Sequence, residues 1–127
     1  MDFVFELNPI AASRPRVSKF GHAYFSGPYK VFRERCTGIV PNCIPEGHVP
    51  YPGYISVDLQ LWVTKPKTTK LKRPGPDVDN YAKSILDACN GKLWVDDKQI
   101  YDLRIRKEWN LTDRPEGYFE VRIEEEE

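Results

Sequence analysis

The chain lacks most of the features that assign a protein to a class at a glance. It has no formal net charge, because 19 Lys and Arg offset 19 Asp and Glu, so total charge argues neither for nor against a polyanionic partner. Its three cysteines, Cys36, Cys43 and Cys89, form no CxxC pair, and an odd number completes no disulfide framework. Reduced intracellular thiols follow. Cys36, Cys43, His22 and His48 show none of the usual zinc-ligand spacings, so no metal is assigned to them. The N-terminus has no basic segment followed by an apolar stretch, and no apolar run approaches the ~20 residues that cross a bilayer. These absences predict a soluble, cytoplasmic protein. There is no internal repeat and no linker. With 127 residues, 40% of them hydrophobic, the chain reads as a single domain over 1–127 with one core. The acidic run Glu124 to Glu127 is expected to be solvated and mobile, and without it the formal charge moves from 0 to +4.

What is present is organised strand by strand. Phe3 to Leu7 reads as a first strand stopped by Asn8-Pro9. Phe20 to Phe25 fits a short hairpin or ordered loop whose aromatics are expected in the core. Ser26-Gly27-Pro28 looks like a helix entry, with Phe32, Cys36, Ile39 and Val40 forming an apolar stripe. Prolines and glycines make 41–53 a long loop. Tyr54 to Val63 alternates, with Ile55, Val57, Leu59, Leu61 and Val63 on one face. Ile100 to Trp109 and Tyr118 to Ile123 add two strands, with Arg104 and Arg106 opposite Leu103 and Ile105. The predicted architecture is α+β, a small mixed sheet of about four to five strands packed by two main helices.

The densest chemistry lies in Pro76-Asp77-Val78-Asp79-Asn80-Tyr81-Ala82-Lys83 and in Leu93-Trp94-Val95-Asp96-Asp97. The first places two carboxylates at i and i+2 where a loop gives way to a helix. The second places two more after an apolar run. Carboxylate oxygens suit a hard Mg²⁺ ion, which keeps waters and accepts phosphate oxygens in its remaining positions. On the helix, Asp79, Lys83 and Asp87 fall at i, i+4 and i+8, beside an apolar face of Val78, Ala82, Ile85 and Cys89. The plain alternative is a capping Asp followed by an exposed ion-pair ladder, worth roughly a few tenths of a kcal/mol per pair. Against it, the helix dipole favours anions at its start but does not neutralise two close carboxylates, so a cation would relieve their repulsion. Asn90-Gly91 ends the helix. Leu93 to Val95 reads as a brief strand, and since neighbouring strand side chains point to opposite faces, at most one of Asp96 and Asp97 joins the cluster.

Two basic segments flank this motif. Arg14 and Arg16 bracket Pro15 on an extended stretch. Lys65 to Arg73 holds five basic residues and no acid, and it delivers the chain to Asp77. Each is a solvated loop on the plain reading. Beside a metal site, Arg14, Arg16, Lys70, Lys72 and Arg73 become candidates for gripping a nucleic-acid backbone.

Asp77-Val78-Asp79-Asn80 with Lys83, then Asp87-Ala88 and Trp94-Val95-Asp96-Asp97, closely resembles the RusA family of Holliday junction resolvases, bacterial and phage endonucleases. The likeness is dense from Pro76 to Asp102, and Arg14-Pro15-Arg16 with Gly27-Pro28-Tyr29-Lys30 is similar to the N-terminal part of phage members. The Pro-rich loop and the acidic tail carry none of it, and the segment between Asp87 and Asp96-Asp97 is shorter than the family pattern. The resemblance implies a homodimer that cuts four-way DNA junctions by paired nicks, using Mg²⁺ or Mn²⁺. It places the essential metal-binding acids on Asp77, Asp79 and Asp97, with Asp96 the alternative to the last, and the catalytic lysine on Lys83. Two other classes share parts of the pattern. A non-catalytic branched- or single-stranded-DNA-binding protein needs the basic loops but not the aspartates. A small-molecule metal-dependent phosphohydrolase needs the aspartates but shows no steep salt dependence.

Overall fold

A computed structural model describes residues 1–25 and 27–127. The chain runs β1 (Asp2–Phe5), β2 (Arg16–Val17), β3 (Ala23–Tyr24), α1 (Gly27–Cys43), β4 (Ile55–Val63), α2 (Val78–Cys89), a 3-10 turn (Asp97–Gln99), β5 (Ile100–Trp109) and β6 (Tyr118–Glu125). The main sheet has four strands in the order β1-β6-β4-β5, and β2 and β3 pair only with each other. β4 lies parallel to β5 and antiparallel to β6. This is the expected α+β mixed sheet with two helices.

The alternation of β4 explains the layering. Ile55, Val57, Leu59, Leu61 and Val63 are buried, together with Phe119, Val121 and Ile123 of β6 and Phe3 and Phe5 of β1. Tyr29, Phe32, Cys36 and Val40 of α1 and Tyr81, Ala82, Ile85 and Cys89 of α2 complete one cluster with them. The other face of the sheet pairs Asp58 with Arg104 and Gln60 with Arg106 and stays polar, as one-sided sheets do. β5 and β6 are consecutive but not neighbours, because β4 lies between them.

Several expectations change. α1 continues to Cys43 with Pro41 inside it, so the long loop starts after 43. The proline forfeits one bond, to the Thr37 carbonyl, and only two helical residues follow it, so the helix ends soon after. Phe20 and Tyr24 are exposed, not core, because the β2–β3 hairpin never packs under the helices. Val78 is exposed as well, since it faces an open gap between α2 and β5. The expected cap Ser26 lies outside the described residues. The acidic run is paired in the sheet as far as Glu125, opposite Ile55. Among the described residues no helix is long and apolar enough to cross a membrane.

Candidate metal and DNA site

The loop before α2 is fastened rather than free. Lys107 Nζ donates to the Pro76 carbonyl at 2.7 Å, Trp109 Nε1 to the Leu71 carbonyl at 2.9 Å, and Arg73 to the Lys107 carbonyl at 3.2 Å. Arg73 also lies 4.0 Å from Glu108, so of the three predicted cations of this loop only Lys70 and Lys72 have no partner among the described residues. α2 then begins with Asp77 as its N-cap, in extended backbone (φ −67°, ψ 147°). The Asp77 carbonyl accepts from Tyr81 N–H, but its side chain makes no capping bond. An N-cap Asp ordinarily stabilises a helix through that bond. Here the carboxylate is left for another use.

The second acidic segment is held by a clasp. Gly91 takes a left-handed φ of +77° after α2, and Leu93 and Trp94 then turn fully inward. No strand forms over Leu93–Val95; Trp94 makes only isolated bridges to Tyr51 and Asn90, because this stretch lies against a loop and not against a sheet edge. Trp94 Nε1 donates to Asp97 Oδ1 at 2.6 Å. Asp96 is used differently: it caps the 3-10 turn, accepting from Lys98 N–H at 3.0 Å while its own N–H donates to Gln99 Oε1 at 2.7 Å. The buried Gln99 amide donates to the Tyr51 and Gly53 carbonyls at 2.6 and 2.7 Å. The Pro-rich loop thus braces the acidic turn from behind.

Between α2 and β5 opens a cleft of about 550 Å³ with Asp79, Lys83, Asp87 and Asp97 among its lining and an apolar floor of Val78, Ala82, Leu86, Leu103 and Ile105. Two of the three predicted acids therefore meet here with the predicted lysine. Asp77 does not line the cleft. It precedes the helix in extended backbone, so the i, i+2 spacing to Asp79 does not place both on one face. Asp87 takes its place, with Lys83 Nζ at 3.8 Å from its Oδ2. Among the described residues no three His, Cys, Asp or Glu side chains are drawn into a ligating group, so the single cage of Asp77, Asp79 and Asp97 is not formed in this structure.

Three carboxylates against one lysine leave the cleft lining net negative. Burial pushes the Asp97 carboxyl above the usual range, the Trp94 N–H pulls it back, the charges of Asp87 and Asp96 raise it further, and Lys83 lowers it. Oxygen-only donors carrying uncompensated negative charge fit Mg²⁺ or Mn²⁺ in chemistry. The thiols play no such part: burial raises Cys36 to about 11 and Cys89 further still.

Arg14 and Arg16 line a second groove of about 480 Å³ with Pro76, Tyr81 and the start of α1 at Gly27 and Pro28. Asp87 enters the sequence pattern as a rung of the ion-pair ladder and as part of the family likeness, with no metal role, although its i+8 spacing from Asp79 places it on the right face. No sequence signal marks Trp94 and Gln99 as holders of the acidic turn.

With this geometry in hand, two likenesses are informative. The family model described as endodeoxyribonuclease RusA matches residues 6–124. The chain is also 30% identical over 125 residues to the uncharacterized protein YqaN of Bacillus subtilis (strain 168), covering 85% of this chain and 87% of that protein.

Proposed function

Because the chain belongs to the endodeoxyribonuclease RusA family, we propose that it is a metal-dependent endonuclease that resolves four-way DNA junctions in the cytoplasm by paired, symmetric phosphodiester hydrolysis. The observation that carries this reading is the cleft itself: Asp79 from the first turn of α2 and Asp97 from the 3-10 turn that follows the helix share it with Lys83.

In this reading Asp79 and Asp97 hold the divalent ion, Mg²⁺ or Mn²⁺, with Asp77 or Asp87 as the further carboxylate. When bound, such an ion polarises the scissile phosphate and lowers the pKa of a water. Trp94 keeps Oδ1 of Asp97 engaged, which leaves Oδ2 as the free donor. Lys83, loosely paired with Asp87 at 3.8 Å, exchanges that exposed contact for a phosphate oxygen and neutralises charge that develops there. Arg14, Arg16, Lys70 and Lys72, with Arg73 anchoring their loop, position the DNA backbone and read shape more than sequence. A junction presents two equivalent strands, and a two-fold homodimer with one cleft per copy matches that symmetry.

The test is a nicking assay on a synthetic four-way junction and a linear duplex, with Mg²⁺ and with EDTA. Junction-selective, Mg²⁺-dependent paired nicks are expected, and Asp79→Asn should abolish them while junction binding persists. Cutting by Asp79→Asn at the parent rate would remove that carboxylate from the chemistry. Binding without any cutting by the parent would point to a non-catalytic DNA-binding protein.

A further inference from the structure

The β2–β3 hairpin stands apart from the core. All four of its strand residues are exposed. Its tip is nonetheless a built turn: Ser18 N–H donates to the His22 carbonyl at 2.8 Å and Gly21 N–H to the Ser18 carbonyl at 2.9 Å. Ser18 Oγ also accepts from Phe20 and His22 N–H at 3.3 and 3.2 Å. With Gly21 at φ +81°, this is a three-residue hairpin loop closed by a left-handed glycine.

What the turn presents is Phe20, 77% exposed, with Lys19 Nζ 5.3 Å from its ring centroid. An exposed apolar residue alone needs no explanation; the surroundings of this one give it a partner. Between Glu6 and Glu34 the chain holds Arg14, Arg16, Lys19, Lys30 and Arg33 and no acid. The segment is also tied to the cleft-bearing helix, since Ala12 N–H donates to the Asn80 carbonyl at 2.9 Å and Arg16 shares a groove with Pro76, the residue before Asp77.

We propose that Phe20 is a stacking element that packs on a base face laid bare at the branch point of junction DNA. The inference rests on the nuclease reading above. In continuous duplex both faces of every internal base pair are covered, so an aromatic tip finds nothing to stack on. At a branch the last pair of an arm can offer a face, and stacking on it is indifferent to sequence. Lys19, Arg14 and Arg16 meet the flanking phosphates. Phe20 thereby converts a generic cationic grip into a preference for branched DNA.

The experiment compares parent, Phe20→Ala and Phe20→Trp in EDTA, binding a four-way junction with 2-aminopurine at the branch point and a linear duplex with the same probe at its centre. Because the ring is exposed, the substitution leaves the core untouched. Phe20→Ala should lose junction affinity by roughly ten-fold, keep its duplex affinity, and lose the fluorescence change at the branch point, while Phe20→Trp retains all three. Unchanged junction binding by Phe20→Ala, or an equal loss on duplex and junction, overturns the stacking role even if the parent nicks junctions normally. A parent that neither binds nor nicks junctions overturns the nuclease reading itself, and the stacking role with it.

Discussion

Gln99→Glu replaces one atom in the clasp behind the acidic turn, and its effect follows from three distances. The parent amide donates at 2.6 and 2.7 Å to the carbonyls of Tyr51 and Gly53 and accepts at 2.7 Å from Asp96 N–H. An ionised carboxylate keeps the accepted bond and loses both donated ones; the Tyr51 carbonyl still accepts from Val95 N–H, the Gly53 carbonyl loses this partner, and both then face a negative charge. At about 0.5–1.5 kcal/mol for each bond lost, the cost at neutral pH is about 2 kcal/mol, a sizeable part of an ordinary domain's stability of about 5–15 kcal/mol. The introduced carboxyl, buried among acceptors, has its pKa raised in the folded state. Its protonated form donates one bond, so the variant is least destabilised at low pH and loses stability as pH rises through that raised pKa. Gln99→Leu loses all three bonds without gaining a charge, so its penalty relative to the parent should not vary with pH. Urea unfolding of the three proteins at pH 5 and pH 7.5 measures this. A Gln99→Glu variant as stable as the parent at pH 7.5, or one with the same deficit as Gln99→Leu at both pH values, would refute the clasp.

Two further outcomes are expected. Lys70→Ala combined with Lys72→Ala should weaken junction binding and flatten the plot of log affinity against log salt by about two; an unchanged slope removes that loop from the DNA interface. Asp97→Asn keeps an acceptor for Trp94 Nε1 but removes a charge that folding disfavours, since burial raises the parent carboxyl. In EDTA it should melt at a higher temperature than the parent at pH 7, with the gap closing as pH falls below the ordinary carboxylate range, while nicking in Mg²⁺ is lost. An equal melting temperature at pH 7 would show that Asp97 is not held against its own charge.

The sequence made the frame legible wherever one periodicity governed a whole element. The strict alternation of β4 and the 3.6-residue pattern from Ala82 to Cys89 are set by burial on one face, and burial is what the structure shows. Reading failed at boundaries. Asp77 and Asp79 look like a pair because a single residue separates them, but the backbone changes from extended to helical between them, and Asp87 enters the cleft instead. Val78 fits the apolar stripe numerically but faces the open cleft and not the packed core. Aromatic character alone places Phe20 in the core, and no local pattern says that a hairpin will project. The roles of Trp94 and Gln99 depend on loop backbone far away in sequence, which no single-chain periodicity encodes.

The clasp has one more implication. The hydrogen bonds from Gln99 and Val95 to the Pro-rich loop end on main-chain carbonyls of Tyr51 and Gly53, while the His48 ring nitrogen lies 3.2 Å from the Leu93 carbonyl. At those points the brace senses the path of the loop and is blind to its side chains. Substitutions in that loop away from His48 and Tyr51 should leave the brace intact, provided its length and trajectory still bring two carbonyls to the same amide. A stretch that carries no recognisable signature can thus be among the most geometrically constrained in the molecule.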